Sequence, residues 1–140
     1  MTKYLQAVLC CIMLYSTTPV YAEFDTASTA LTSQVRVSGQ MNSEKFQHLL
    51  AQGFQSVIVN RPDHEPGNQI TAVQLAQLAK PANVKLVYQP VISGQISPQN
   101  VVEFANHYNS LPKPVLLICK SGARSTALFN QARNVGLLNE

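Results

Sequence analysis

The run Val115-Leu116-Leu117-Ile118 constrains this chain more than any other segment. Consecutive apolar residues with no polar alternation leave no face for water. They read as a strand, with the same continuous pattern that at Ser56 to Asn60 is consistent with a buried parallel strand. Parallel neighbours are joined by crossovers, so helices must lie between the strands. The run leads into Cys119-Lys120-Ser121-Gly122-Ala123-Arg124-Ser125 and then Thr126-Ala127-Leu128-Phe129. The order is strand, tight loop, helix. Cys119 then stands at the strand end, facing a helix N-terminus and ringed by backbone N–H groups. Such a loop holds an anion, and the helix dipole adds favourable potential. The same field favours the thiolate, which is the nucleophilic form of cysteine. The layout argues for a nucleophilic cysteine with an oxyanion cradle. The bland alternative is a buried structural cysteine, but Gly122, Arg124 and Ser125 in this loop are hard to explain by packing alone.

The rest of the chain supplies the elements such a strand requires. Val35-Arg36-Val37-Ser38 is a short strand that Gly39-Gln40 turns out of. Asn42 caps a helix carrying Phe46, Leu49 and Leu50, with Glu44 in its first turn and Gly53 as its stop. Ser56-Val57-Ile58-Val59-Asn60 is a second buried strand, followed by the polar loop Arg61 to Asn68. Thr71 caps a helix whose apolar set is Val73, Leu75, Ala76 and Leu78. Val84 to Tyr88 is the next strand, followed by the loop Pro90 to Gln95. Ser97 and Pro98 open a helix with Val101, Val102, Phe104, Ala105 and Tyr108 on one face. The last helix runs from about Ser125 to Arg133. The expected fold class is α/β: a single domain with a largely parallel central sheet flanked by helices. Ligands in such sheets sit at the carboxyl ends of the strands. Cys119 lies there, and so do the loops that start at Arg61 and Val91.

The first residues read as an export signal. Lys3 gives the positive region, Leu5 to Tyr15 the apolar one, and Val20-Tyr21-Ala22 a cleavage pattern. The apolar run is too short for a confident membrane span, although an uncleaved anchor is the alternative. The organisation read from sequence is therefore 1–22 signal peptide, 23–34 linker or N-terminal arm, and 35–140 the domain. The expected location is periplasmic or secreted. Cys10 and Cys11 leave with the signal, so Cys119 is the only thiol of the mature chain. A lone thiol in an oxidising compartment risks mixed disulfides, which makes a functional role the stronger reading. The net charge of +3 is spread without a basic stripe or interleaved aromatics, so nucleic acid is not an expected partner. No cluster has metal-ligand spacing, and no metal or cofactor is expected. His48 and His107 sit in helix patterns as surface or packing residues. A Cys–His protease pairing Cys119 with His64 fits poorly, since Arg124 and a glycine loop suit an anion better than a peptide.

Four segments in order, Val37-Ser38-Gly39-Gln40, Asn60-Arg61-Pro62-Asp63, Glu65-Pro66-Gly67 and Cys119 to Ser125, resemble the beta-lactamase hydrolase-like, phosphatase-like family. That family is also known as a domain of unknown function fused to some sulfur-metabolising metallo-hydrolases. The resemblance covers Val35 to about Arg133. It implies a dual-specificity-phosphatase-like fold and hydrolase or phosphatase-like activity, with sulfurtransferase chemistry often proposed. Carried over by position, it makes Cys119 the nucleophile, Arg124 the anion clamp, and the amides of Lys120, Ser121, Gly122, Ala123, Arg124 and Ser125 the cradle. Arg61 and Asp63 belong to a second active-site loop.

The departures from the pattern divide the chemistry. Tyrosine and dual-specificity phosphatases carry a His before the cysteine and five residues between Cys and Arg. Here Ile118 precedes Cys119 and four residues separate it from Arg124. Rhodanese sulfurtransferases often carry a persulfide in a loop of the shorter length. A phosphatase also needs a proton donor for the leaving oxygen. The stretch Pro90-Val91-Ile92-Ser93-Gly94-Gln95 contains no acid, and Asp63 is the first choice in its place. Otherwise Asp63 caps the turn after Pro62 or pairs with Arg61. The expected function is a cysteine-thiolate, phosphatase-like hydrolase acting on a small anionic phosphoester. The alternatives are a rhodanese-like sulfurtransferase with a sulfane-sulfur donor and a thiol acceptor or reductant as partners, and an anion-binding or redox-sensing module without turnover.

Overall fold

The computed structural model describes residues 26–140, so the signal reading of 1–22 lies outside the described residues. Five strands form one sheet: β1 (Thr29–Ala30), β2 (Val35–Ser38), β3 (Ser56–Val59), β4 (Lys85–Tyr88) and β5 (Val115–Ile118). Their spatial order is β1-β2-β5-β3-β4. β5 is parallel to β2 on one side and to β3 on the other, with Leu116 opposite both Arg36 and Val57. β4 runs parallel to β3, and only β1 is antiparallel. The α/β, largely parallel architecture expected from the sequence is the one observed.

All residues of β5 and β3 are buried because both faces of the sheet are covered. On one face α1 (Ser43–Leu50) and α2 (Ala72–Ala79) bring Phe46, Leu49 and Leu75 against Val57, Val59, Leu116 and Ile118. On the other, α3 (Pro98–Ser110) and α4 (Ala123–Asn134) bring Phe104, Tyr108, Leu128 and Phe129 against Val35, Ile58, Val115 and Leu117. Alternate strand residues thus serve opposite layers, as the period of two demands. Complete burial of a Phe or Leu side chain contributes about 1.5–3 kcal/mol. The three fully buried Phe46, Phe104 and Phe129 are therefore among the largest apolar contributions in the two layers.

Sequence signals mark the helix starts well. The Asn42 side chain accepts from the Lys45 amide at 2.8 Å, and capping boxes at Thr71–Gln74 and Ser97–Asn100 open α2 and α3. Three details differ from the sequence reading. Val73, Ala76 and Val102 are exposed, and α2 buries the expected Leu75 together with Ala72 and Ala79. An apolar residue at the margin of a helical stripe does not have to face the core. The last helix begins two residues earlier than expected, at Ala123, because Gly122 takes a left-handed φ of 91° and starts the first turn itself. The segment 26–34, read as linker or arm, includes β1 and lies along the sheet edge. There Arg36 Nε donates to Ser28 Oγ at 2.8 Å and Ser38 Oγ donates to the Ala27 carbonyl at 2.6 Å.

Candidate anion-binding thiol site

The carboxyl ends of β2, β5, β3 and β4 gather four loops at one edge of the sheet, and Cys119 is at their centre. Its amide still belongs to the ladder, donating to the Ser38 carbonyl at 3.2 Å. The thiol is 1% exposed. Gly122 donates its N–H to Sγ at 3.1 Å, so the loop does close over the sulfur. The left-handed φ of Gly122 lets its amide turn inward. Of the other cradle residues, Lys120, Ser121 and Ala123 are exposed, while Arg124 and Ser125 are buried. The Ala123 amide donates to Ser121 Oγ at 3.4 Å, a local bond at the start of α4.

A small, mostly apolar cavity of about 10 Å³ abuts Cys119, lined also by Met41, Val59, Arg61, Ile70, Leu75 and Ile118. That volume is on the order of one water molecule. Gly39 packs directly on the loop. A methyl group added to it would stand 2.9 Å from the Lys120 carbonyl oxygen and 3.0 Å from the Ser121 Cα. The tight turn after β2 is thus the floor on which the cysteine loop rests.

Asn60, fully buried at the end of β3, joins the neighbouring loops. Its amide donates to the Ile118 carbonyl at 2.7 Å and its Nδ2 donates to the Gln89 carbonyl at 3.1 Å. Its Oδ1 accepts from the Ser125 hydroxyl at 2.8 Å, which fixes the first turn of α4. Sequence reading did not assign Asn60 a role. A buried amide immediately after an apolar strand was the available signal, because such a group must find partners.

Arg124 is buried and points across the sheet edge rather than into solvent. Its Nη1 donates to the Val91 carbonyl at 2.8 Å and to the Asn60 carbonyl at 3.4 Å. Its Nη2 donates to Glu65 Oε2 at 2.8 Å, and its Nε has no partner. Arg61 lies alongside, with Nη1 donating to Gln40 Oε1 at 2.5 Å and Nη2 to the Pro66 carbonyl at 3.0 Å. Its Nε sits 3.2 Å from Glu65 Oε1, an ion pair off the hydrogen-bonding direction. The sequence reading paired Arg61 with Asp63 as one option; its carboxylate neighbour is Glu65. Asp63 Oδ1 instead accepts from the Ala72 amide at 2.8 Å, tying its loop to the start of α2. The Asp63 amide donates to the Tyr88 hydroxyl at 2.9 Å. Among the described residues no group of three or more His, Cys, Asp or Glu is arranged to hold a metal ion.

Comparison with known proteins gives this geometry a context. The family model for the beta-lactamase hydrolase-like protein, phosphatase-like domain, matches residues 27–135. The chain belongs to that family. A beta-lactamase hydrolase-like protein of Xylella fastidiosa is 29% identical over 99 residues, which are 71% of this chain and 23% of that protein. The chain therefore spans about a quarter of the length of this relative. Among solved structures, a candidate phosphatase from Neisseria meningitidis superposes with a TM-score of 0.71 at 27% identity, covering 78% of each chain. A candidate phosphatase of the DUF442 group from Shewanella putrefaciens gives a TM-score of 0.64 at 24% identity, covering 76% of this chain and 67% of that one. The phosphatase-like fold implied by the sequence is thus the observed one. The matched segment contains both the Asn60–Gly67 loop and the Cys119–Ser125 loop of this family member.

Proposed function

We propose that this family member is a cysteine-thiolate enzyme, a phosphatase-like hydrolase of small anionic phosphoesters. The observation that carries the reading is the closure of the loop on the nucleophile, with the Gly122 N–H on Sγ at 3.1 Å. In this reading Cys119 Sγ attacks phosphorus, forming an S–P bond as the P–O bond to the leaving group breaks. The loop amides and Arg124 stabilise the negative charge on the remaining oxygens. The proton for the leaving oxygen is assigned to Asp63 by its place in the sequence; its Oδ1 accepts from the Ala72 amide at 2.8 Å, which leaves Oδ2 to carry that proton. The loop from Pro90 to Gln95 has no acid, and Glu65 is already engaged with two arginines. Water then attacks phosphorus, its proton passes to Asp63, and the S–P bond breaks to release phosphate.

Export is part of the proposal, supported by Lys3, the apolar run to Tyr15 and the Val20-Tyr21-Ala22 pattern. Among the described residues no helix is long and apolar enough to cross a membrane.

The four-residue spacing from Cys119 to Arg124 and the absence of an acid from Pro90 to Gln95 favour a second reading, sulfur transfer. Thiolate attack on the outer sulfur of thiosulfate would form an S–S bond, release sulfite, and leave a persulfide on Cys119 for an acceptor thiol.

Incubation followed by intact-protein mass measurement separates the readings. An aryl phosphate should be turned over by the parent protein and not by Cys119→Ser, with vanadate inhibiting. A gain of one sulfur atom after thiosulfate, without phosphate release from any aryl ester, would replace the first reading by the second. Full turnover by Cys119→Ser would remove Cys119 as nucleophile in both.

A further inference from the structure

One carboxylate lies between two buried guanidinium groups beside the thiol loop. Glu65 meets Arg124 Nη2 at 2.8 Å and Arg61 Nε at 3.2 Å, and the two arginine side chains are only 5% and 3% exposed. Arg61 is itself fixed by Gln40 and the Pro66 carbonyl, so it gives Glu65 a rigid seat. The Val91 and Asn60 carbonyls hold Arg124 Nη1. Both Nη groups of Arg124 are thus held by the protein, and Nε is the nitrogen left without an acceptor in a buried setting. A buried donor in that state is costly unless a partner arrives. An arginine grips an oxyanion best through parallel N–H donors, and Nε is a donor of Arg124 that no protein group occupies. An arginine side chain also carries about 2 kcal/mol of rotamer entropy, which an untethered group would lose at each binding event.

We propose that Glu65 is a positioning residue: seated on Arg61, it holds the Arg124 guanidinium so that its Nε edge is presented to the anion bound over Cys119. The inference rests on the reading of Arg124 as the anion clamp. Glu65 acts on the substrate only through Arg124 and donates no proton. Its charge keeps the trio of Arg61, Arg124 and Glu65 at a net single positive charge, which two apposed arginines alone would not have.

A double-mutant cycle tests this on the full chain with an aryl phosphate. Glu65→Ala should lower kcat by roughly 10–10²-fold with a smaller change in KM, the scale of a misplaced catalytic group. In an Arg124→Ala background the same change should cost nothing further, because the group it positions is gone. A merely structural role would give the same loss in both backgrounds, so additive losses overturn the proposal. Parent-like kinetics for Glu65→Ala overturn it too. Glu65→Gln, similar in size, carries the same cycle where the alanine variant does not fold. Should the parent turn over no aryl phosphate, the phosphatase reading fails by itself. The proposal is then judged by protection of Cys119 from iodoacetamide with inorganic phosphate and with thiosulfate. Protection by either anion in the parent that is lost in the Glu65 variant supports it. Equal protection in parent and variant, or none in the parent, overturns it.

Discussion

Gly39→Ala should separate the geometry of the thiol loop from the stability of the fold. The added Cβ would meet the Lys120 carbonyl oxygen at 2.9 Å, the Ser121 Cα at 3.0 Å and the Ser121 carbonyl carbon at 3.2 Å. All three are backbone atoms, so no side-chain rotation relieves the clash. Ordinary contact lies near 3.5–4.0 Å, so the loop and the turn must part by about 0.5 Å or more. Overpacking of this kind costs about 1–3 kcal/mol, or roughly 5–15 °C in Tm for a domain of this size. The same displacement acts on the segment that carries the Gly122 N–H to Sγ at 3.1 Å. A displacement approaching 1 Å at a reacting group costs on the order of 10²-fold in rate. The expected outcome is a folded protein at 25 °C with kcat/KM for an aryl phosphate lowered by about 10–10²-fold, and slower alkylation of Cys119. Circular dichroism melting and stopped-time iodoacetamide labelling measure the two effects separately. Unchanged turnover together with an unchanged melting curve would refute the reasoning, since the loop would then rest on something other than Gly39.

Two further substitutions bear on the division of labour at the site. Arg124→Lys keeps the charge but cannot reach Glu65, the Val91 carbonyl and an anion with one flat fork, so kcat/KM should fall by roughly 10²-fold or more; near-parent kinetics would show that the free Nε edge is not used. Asp63→Asn keeps an amide oxygen to accept from the Ala72 N–H and should leave Tm within a few degrees. As the proton donor's loss it should slow alkyl phosphate hydrolysis by roughly 10²–10⁴-fold and aryl phosphate hydrolysis much less; an equal loss on both would assign Asp63 to the start of α2 alone.

The backbone of the site was legible in the sequence because it depends on local rules. A four-residue apolar run, a glycine loop and the apolar pattern of Leu128 and Phe129 mark strand, turn and helix from local sequence. Three of the four α-helix starts follow from the side chains that accept the first free amides. The side-chain network was legible only in part because its partners lie far apart in sequence. Arg124 finds Asn60 and Glu65, about sixty residues before it, only once β5 has inserted between β2 and β3. No local pattern tells Glu65 from Asp63 two residues earlier. Both are carboxylates in one polar loop, and the parallel register decides which faces the arginine and which faces α2.

That register also explains why a buried guanidinium is tolerated beside a thiol. A charged group buried without partners costs several kcal/mol, and each hydrogen that finds an acceptor reduces that cost. Here the carbonyls of Asn60 and Val91 and the carboxylate of Glu65 take the Nη donors, each from a loop set by a neighbouring strand end. Placing β5 between β2 and β3 therefore performs two tasks at once. It buries Val115 to Ile118 on both faces, which the apolar run requires, and it carries Arg124 to the carbonyl ends of the loops after β3 and β4. In the proposed role, an anion over Cys119 would meet a cation already desolvated on folding, with the Arg124 Nε lacking an acceptor in the protein.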